Sequence, residues 1–573
     1  MAAALVSRAT GNGDICLDLH AWAGKRLDES WGEAVCPDLE PWIAALNASP
    51  AVGRPGERRP LVLDAQQRLY LHRYWDYENR LAADILRRAG SPLQPIDIGR
   101  LREAIQRQFP ESPGPGTDWQ KVAVAVCMLK RLAVITGGPG TGKTTTVAKL
   151  LSVYADLHAG RSGRVLLAAP TGKAAGRLKE SLRYAPTAGG SATAYDVYTL
   201  HRLLRPVAGS PRFHYNAGHL LPVDLMIVDE VSMVDLALMA KLVDALPETA
   251  RLILIGDRDQ LASVEAGSVL GDICGGSELG GFSTEFGQTI QQVTGQAISS
   301  AAQQQPLQDC IVELQTSHRF AAGSAIGALS RAVNQGDAFQ ALEILSRHDD
   351  ESVTWLEPEA ESAGGGELQH RLSAGYAAYD TDADPADVLQ ALGQFKVLCA
   401  HRAGGTGVET INRLTERILS RQGRILFNPR SGSPWYAGRP VLITQNDYGL
   451  GLFNGDIGAT LKDARGGSEG LTVFFTDASG ALRRFLPYRL PPHETVWAMT
   501  VHKSQGSEFE DVLLILPQTV SPVLSRELVY TALTRARKRI TVFGKREVLS
   551  TAILRRLERT SGLRDTLWGV QPG

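Results

Sequence analysis

The stretch RLAVITGGPGTGKTTTVAKLL, residues 131–151, decides the fold of this chain. An apolar run leads into a glycine-rich turn, and a segment with helical spacing follows the turn. The turn matches GxxxxGK[ST] in the strand–turn–helix context that this pattern requires. Glycines there let backbone N–H groups curl around phosphate oxygens at a helix N-terminus, where the dipole favours anions. We therefore predict a phosphate-binding site made of Gly137, Gly138, Pro139, Gly140, Thr141, Gly142, Lys143, Thr144 and Thr145.

Two side chains of this turn carry the expected chemistry. Lys143 is placed to reach the β- and γ-phosphates of a nucleotide, and the Thr144 hydroxyl is placed to bind Mg²⁺. ATP and Mg²⁺ are therefore the expected cofactors.

Short apolar runs alternate with helical segments on both sides of this turn. The first set is RLAVIT (131–136), RVLLAA (164–169), DLMIVD (224–229) and RLILIGD (251–257). The second set is IVELQ (311–315), KVLCA (396–400), DVLLIL (511–516) and RITVFG (539–544). This alternation is typical of parallel sheets whose strand C-termini carry the functional site. We predict an α/β fold with two such sheets in series.

Acidic and amide side chains follow two of these runs. Asp229 is predicted to bind Mg²⁺ and Glu230 to polarise an attacking water, although adjacent acids after a strand also serve as helix caps. Gln260, in GDRDQLASVEAG, is placed to sense a γ-phosphate, or else it belongs to an ordinary loop.

The remaining segments suggest the domain organisation. Residues 1–110 contain a helix predicted over 69–86, and they form either a self-contained helical domain or a docking surface for another subunit. Residues 111–117 are predicted to be a linker. Three insertions are predicted after it: a β-hairpin at 203–216, a mobile glutamine-rich loop at 281–310, and a small β-barrel at 421–490.

Composition excludes several classes of protein. The 573 residues suffice for roughly two to four domains, and the 43% apolar content argues against a disordered chain. The balance of 60 basic and 61 acidic residues argues against a histone-like coating protein, but it permits a locally basic groove. Six scattered cysteines without CxxC spacing fit reduced thiols and not a zinc ribbon. The apolar runs fall short of the ~20 residues that span a bilayer, so we expect a cytoplasmic protein.

The order of motifs resembles superfamily 1 DNA helicases. GGPGTGKT, APTGKAA (169–175), TLHRLL (199–204), VDEVSMVD (228–235) and GDRDQLASVEAG come first. SHRF (317–320), NGDIG (454–458), MTVHKSQGSEF (499–509) and LVYTALTRAR (528–537) follow in the same order. The whole is most similar to the RecD family, the alpha subunits of RecBCD helicase–nucleases (exodeoxyribonuclease V). The resemblance implies two RecA-like P-loop domains at about 111–315 and 316–573, with an SH3-like barrel inserted in the second.

The resemblance also implies roles for individual residues. Gln120 matches the glutamine that contacts adenine, and Arg319 and Arg535 match arginines that reach the γ-phosphate from the second domain. The residues that match DNA-groove motifs are Pro170, Thr171, His201, Thr500, His502 and Lys503. Either histidine could instead be structural, and Asn446 and Asn454 are either DNA-side polar groups or turn formers.

The implied function is that of an ATP-dependent 5′→3′ DNA helicase in double-strand break repair by recombination. Its implied partners are single-stranded or unwinding duplex DNA and RecB-like and RecC-like subunits in a heterotrimer. None of the thirteen lysines follows an acid by two positions, so no nuclease site is expected in this chain. The alternatives are a stand-alone RecD-like helicase and a binding subunit that has lost turnover.

Overall fold

A computed structural model describes most of the chain. The described residues are 1–28, 31, 33–91, 96–110, 116–158, 163–183, 195–275, 281–299, 305–320, 323–347, 350–358, 366–428, 432–463, 470–477 and 480–569. Most of the predicted linker, 111–115, lies outside them.

Strands and helices alternate along the described residues. The strands are β1 Cys16–Asp18, β2 Val52–Gly53, β3 Leu61–Leu63, β4 Arg68–Leu71, β5 Leu132–Gly137, β6 Val165–Ala169, β7 Val197–Thr199, β8 Leu225–Val228, β9 Arg251–Gly256, β10 Ile311–Leu314, β11 Val353–Leu356, β12 Phe395–Cys399, β13 Pro440–Ile443, β14 Ile457–Lys462, β15 Leu471–Thr476, β16 Leu482–Phe485, β17 His493–Thr495, β18 Ala498–Thr500, β19 Phe509–Ile515 and β20 Ala536–Phe543. The helices are α1 Ala2–Gly11, α2 Leu19–Trp22, α3 Leu39–Ala48, α4 His72–Gly90, α5 Ile98–Gln108, α6 Trp119–Leu129, α7 Lys143–Leu157, α8 Gly172–Arg183, α9 Leu200–Leu204, α10 Leu236–Asp244, α11 Val269–Ile273, α12 Thr284–Thr294, α13 Ala325–Gln335, α14 Ala338–Ser346, α15 Gly366–Gly375, α16 Pro385–Gln394, α17 Val408–Arg421, α18 Arg526–Leu533, α19 Arg546–Leu554 and α20 Leu563–Trp568.

The first large sheet is parallel and has the order β10-β5-β9-β8-β6-β7. Its strands are continuous apolar runs because both faces are covered. In β5, Leu132 and Val134 pack into one core, whereas Ala133 and Ile135 pack into the core on the other face. The prediction for the first four runs is confirmed. IVELQ was assigned to the wrong sheet, because β10 pairs with β5 and not with the second set.

The second large sheet is also parallel, in the order β11-β20-β19-β12-β18. It contains the other three predicted runs. Strands β13 to β17 interrupt it and form one antiparallel sheet in the order β16-β15-β14-β13-β17. The described part of the insertion is therefore mainly β, with one 3-10 turn at Pro487–Arg489, and its closure into an SH3-like barrel stays a prediction.

The N-terminal region contains the predicted helices and, in addition, a four-stranded sheet in the order β1-β4-β3-β2. The predicted helix 69–86 begins later, because Arg68–Leu71 pairs as a strand before α4 starts at His72. Helix α4 fixes this region to the first sheet domain. Its buried Arg88 donates to Asp84 Oδ2 (2.6 Å) and to the Ala250 carbonyl (2.6 Å).

The first two insertion predictions have different outcomes. The segment 203–216 overlaps the end of α9, but its two arms do pair: the His214 N–H donates to the Arg205 carbonyl (2.8 Å), the Val207 N–H donates to the Arg212 carbonyl (3.0 Å), and Pro206 is paired with Phe213. The region 281–310 is not a loop throughout, since Thr284–Thr294 forms α12 and buries Ile290 and Val293. Among the described residues, no helix is both long and apolar enough to cross a membrane.

Candidate functional site

The glycine-rich turn lies between β5 and the N-terminus of α7. Gly140 and Gly142 have φ of +75° and +84°, a region that L-residues with a Cβ rarely adopt. A Cβ at Gly142 would collide with Gln120 Nε2, which donates to the Thr141 carbonyl (3.2 Å). Lys143 Nζ folds back onto the turn and donates to the carbonyls of Gly137 (2.6 Å) and Gly138 (3.0 Å). Gln120 therefore lies directly beside the predicted phosphate loop.

Asp229 and Glu230 follow β8 beside this turn. Asp229 Oδ1 accepts from the Glu230 backbone N–H (2.8 Å). Burial, followed by the neighbouring Glu230 charge, raises the pKa of Asp229 to about 7, and the Lys143 charge opposes this shift. Glu230 has a φ of +53°, which costs of order 1 kcal/mol or more for a residue with a side chain. Such strain is common at functional sites.

The loop after β9 adds a residue that the sequence analysis missed. Asp257 is 1% exposed, and its Oδ2 accepts from Gln260 Nε2 (2.9 Å) and from Tyr530 Oη of the second domain (3.3 Å). Burial raises the pKa of Asp257 to about 6, while Lys143 lowers it. Its position at the C-terminal end of a buried strand was the signal that could have found it. The predicted Gln260 also lines the site and is 7% exposed.

The SHRF segment contacts the glycine-rich turn directly. His318 N–H donates to the Gly140 carbonyl (2.8 Å), and Ser317 Oγ donates to the Pro139 carbonyl (3.1 Å). A Cβ at Gly140 would collide with the Cβ of Arg319. This segment is thus held at the loop that it was predicted to serve.

Arg319 is paired with an acid that the sequence analysis did not single out. Its Nη2 lies 2.5 Å from Glu508 Oε1, and Arg177 Nη1 lies 3.8 Å from the same oxygen. Burial would raise the pKa of Glu508, but the charges of Arg319 and Arg177 outweigh it and bring the pKa to about 2. Glu508 is therefore ionised, and its negative charge lies between Arg177 of the first sheet domain and Arg319.

Arg535 approaches from the loop between α18 and β20. It is 4% exposed, its Nε donates to the Thr531 carbonyl (3.1 Å), and its Nη1 donates to the Ser507 carbonyl (3.3 Å). Burial lowers its pKa, and the nearby Glu230 and Glu508 charges oppose this shift.

These groups line one cavity of about 640 Å³. Its lining comes from both sheet domains: Gln120, Pro139, Gly140, Gly142, Lys143, Thr144, Thr145, Arg177, Asp229, Glu230, Gln260, His318, Arg319, Glu508 and Arg535. A basic, glycine-rich loop faces acids and arginines across this space. The arrangement suits a nucleotide polyphosphate.

The donor set also fits Mg²⁺. A hydroxyl from Thr144 and a carboxylate from Asp229 line the same cavity, and Mg²⁺ prefers a few such oxygen ligands together with phosphate oxygens. Neither a sulfur nor an imidazole is needed for that role.

Three of the six residues predicted for DNA lie at the C-terminal ends of two strands. Pro170 and Thr171 follow β6, and Thr500 ends β18. Their segments are adjacent, because a Cβ at Gly506 would lie 3.9 Å from Ala174 Cβ.

The two predicted histidines and Lys503 differ in their surroundings. His201 packs its ring edge-on against Phe213 at 5.8 Å, which supports the structural alternative without testing DNA contact. His502 is half-buried, and burial lowers its pKa. Lys503 Nζ donates to Glu494 Oε1 (2.6 Å), so its charge is shared with an acid.

The two asparagines predicted as DNA-side or turn residues, Asn446 and Asn454, are hydrogen-bonded to each other. Asn446 Oδ1 accepts from the Asn454 backbone N–H (2.8 Å), which is the turn-forming arrangement. Contact with DNA stays a prediction for both.

A second cavity of about 690 Å³ opens between α8, α16 and the β-insertion. Lys173, Arg202 and Arg483 line it together with the aromatic rings of Tyr448 and Phe453. Burial, followed by the Arg177 charge, lowers the pKa of Lys173 to about 8. Basic and aromatic side chains in one groove are the combination that binds single strands.

Three families match parts of the chain. Residues 1–70 match the N-terminal domain of RecBCD enzyme subunit RecD, residues 120–266 match an AAA domain, and residues 495–543 match the UvrD-like helicase C-terminal domain.

Curated relatives match nearly the whole chain. The RecBCD enzyme subunit RecD of Mycolicibacterium smegmatis is 39% identical over 579 residues, which cover 99% of this chain and 93% of the relative. The subunit of the same name from Haemophilus influenzae is 34% identical and covers 96% and 86%. The ATP-dependent RecD2 DNA helicase of Deinococcus radiodurans is 33% identical, over 74% of this chain and 50% of that protein.

Proposed function

The chain belongs to the RecD family of DNA helicase subunits, and we propose that it is the ATP-driven 5′→3′ motor of a heterotrimer with RecB-like and RecC-like subunits. The assembly would act in the cytoplasm on broken DNA ends during repair by recombination. The observation that carries this proposal is the shared cavity, in which Arg319 and Arg535 face Lys143 from the opposite sheet domain.

In this proposal ATP binds along the glycine-rich turn, with the adenine beside Gln120. Lys143 leaves the carbonyls of Gly137 and Gly138 and turns to the phosphates. Glu230 orients the attacking water, and Arg535 stabilises the negative charge that develops on the phosphoryl group. Gln260, bonded to Asp257, senses the presence of the γ-phosphate.

Mg²⁺ would be held by Thr144 and Asp229 and would neutralise charge on the β- and γ-phosphates. Burial disfavours the ionised form of Asp229, and a bound cation would favour it.

Closure of the two domains on ATP and their opening after hydrolysis would move a single strand past the C-terminal ends of β6 and β18. Thr171, Thr500 and Lys503 are proposed to contact phosphates there, with Pro170, His201 and His502 beside the strand. The polarity follows from the family resemblance. Because no acid-x-lysine pair occurs in the chain, strand cleavage is assigned to a partner subunit.

A stand-alone helicase is the second candidate. The match of residues 1–70 to the N-terminal domain of RecBCD subunits favours the subunit, and we propose that residues 1–110 dock onto a partner. The domains at 111–315 and 316–573 would form the motor.

Affinity purification from the native cell, with mass spectrometry of the bound chains, tests this proposal. We expect two large helicase-related chains in equimolar amounts, and the complex should hydrolyse ATP faster with single-stranded DNA. An isolated chain with the same DNA-stimulated activity would instead support the stand-alone helicase.

A further inference from the structure

The loop after β9 connects three parts of the molecule. At its start, Gln260 lines the nucleotide cavity and donates to the buried Asp257. In its middle, the Leu261 N–H donates to Thr531 Oγ1 (2.9 Å), and its carbonyl accepts from Gln505 Nε2 (2.6 Å), both in the second sheet domain. A shift of this loop would therefore move groups at the nucleotide and at the second domain together.

The end of the loop, residues 263–267, is bound by a guanidinium from far along the chain. Arg559 Nη2 donates to the Ser263 carbonyl (2.5 Å), and Nη1 lies 2.7 Å from the Glu265 carbonyl and 2.8 Å from the Gly267 carbonyl. Hydrogen bonds from charged donors are about twice as strong as neutral ones. One side chain thus fixes three carbonyls of one turn.

The N-terminal region contacts both the end of this loop and Arg559. The Gly13 carbonyl accepts from the Gly267 N–H (2.9 Å), and a Cβ at Gly13 would lie 2.9 Å from Arg559 Cζ. Asp14 Oδ1 accepts from the Thr560 N–H (2.8 Å), and the Thr560 carbonyl accepts from the Ile15 N–H (2.8 Å). The segment that carries Arg559 is therefore paired with the N-terminal region on one side and with the loop on the other.

We propose that Arg559 is a positioning residue that holds the loop 257–267 in its active geometry and links the N-terminal region to ATP turnover. This inference rests on the proposed motor function. Arg559 is not among the described residues that line the nucleotide cavity, and its hydrogen bonds go to residues 263–267, so its effect passes through Leu261 and Gln260. Nucleotide affinity should therefore be spared, whereas the coupling of DNA binding to hydrolysis should not.

The test uses the full chain with Arg559→Ala, Arg559→Lys and the control Arg556→Ala. Arg556 is an exposed arginine three residues earlier. We expect Arg559→Ala to keep the affinity for ATP and the basal rate without DNA within about twofold, and to lower the DNA-stimulated kcat about tenfold. Arg559→Lys retains the positive charge but not the planar guanidinium with its two terminal donor nitrogens. It should therefore recover part of the lost DNA-stimulated kcat.

A second variant keeps the test decisive if Arg559→Ala unfolds. Asp14→Asn weakens the same link from the N-terminal side, and we expect it to lower the DNA-stimulated kcat about threefold with unchanged affinity for ATP. Equal DNA stimulation in wild type and in all folded variants would overturn the inference. A wild-type chain without DNA stimulation would contradict the proposed motor function instead.

Discussion

Replacing Arg535 with alanine probes the chemistry of the cavity most sharply. The guanidinium is 4% exposed, and its hydrogen bonds go to carbonyls of Thr531 and Ser507. Arg319, in contrast, forms an ion pair with Glu508, which a γ-phosphate would have to displace. Arg535 therefore has the more available charge, and its loss should be the more damaging of the two.

The expected loss of hydrolysis rate follows from the role of Arg535 in stabilising the transition state. An arginine that stabilises the transition state contributes ~10³–10⁵ in rate, or about 4–7 kcal/mol. We expect Arg535→Ala to lower single-turnover hydrolysis with DNA bound by that range, and Arg319→Ala by less. ATP affinity should change less than about fivefold, because Lys143 and the glycine-rich turn hold the ground state.

The assay compares nucleotide affinity with single-turnover hydrolysis for each variant. Since two buried carbonyls lose their donor, Arg535→Ala can also cost about 1–3 kcal/mol of stability, so thermal unfolding is measured alongside. Arg535→Lys keeps the charge, and Lys538→Ala, at a paired residue that is 77% exposed, is the matched control. If a folded Arg535→Ala variant hydrolyses ATP at the wild-type rate, Arg535 of the second sheet domain does not act on the phosphate bound by the first.

Three further predictions follow from other parts of the molecule. Lys143→Ala should weaken nucleotide binding and hydrolysis together, unlike Arg535→Ala, and unchanged affinity in equilibrium titration would argue against its phosphate contact. Binding to single-stranded DNA should fall log-linearly with salt, and Lys503→Ala should reduce the slope by ~0.7 or less, since Glu494 already shares that charge; a salt-independent affinity would exclude phosphate contacts. Burial raises the pKa of Glu78 from 4.5 to about 6, so its ionisation should cost about 2 kcal/mol of folding stability as pH rises from about 4.5 through 6. Glu78→Gln should reduce the pH dependence of the unfolding free energy by that amount and leave the share of Asp229 and Asp257, and an unchanged pH dependence would contradict the assignment.

The sequence predicted which residues lie at the candidate site better than it predicted the contacts between them. The turn around Lys143 and the buried strands were visible because each is a local pattern with a physical requirement. Glu508 was within a quoted motif, yet its role depends on Arg319, which is distant in sequence. No local pattern could have shown that ion pair.

The errors in predicting the fold also arise where a local pattern does not determine the structure. The run that became β10 is an apolar segment whose sequence does not say which sheet it joins. The N-terminal strands have two to four residues each, too few for alternation to appear. Glutamine-rich composition indicated a loop at 281–310, but Ile290 and Val293 fall at helical spacing and are buried in the helix Thr284–Thr294.

The central claim, that hydrolysis in the cavity moves the chain 5′→3′ along single-stranded DNA, is tested most directly by streptavidin displacement. The purified chain is mixed with oligonucleotides that carry biotin at either the 3′ or the 5′ end. We expect ATP-dependent loss of streptavidin from the 3′ end only, and none with Lys143→Ala. Displacement from the 5′ end, or from neither end by a chain that hydrolyses ATP with DNA bound, would contradict it.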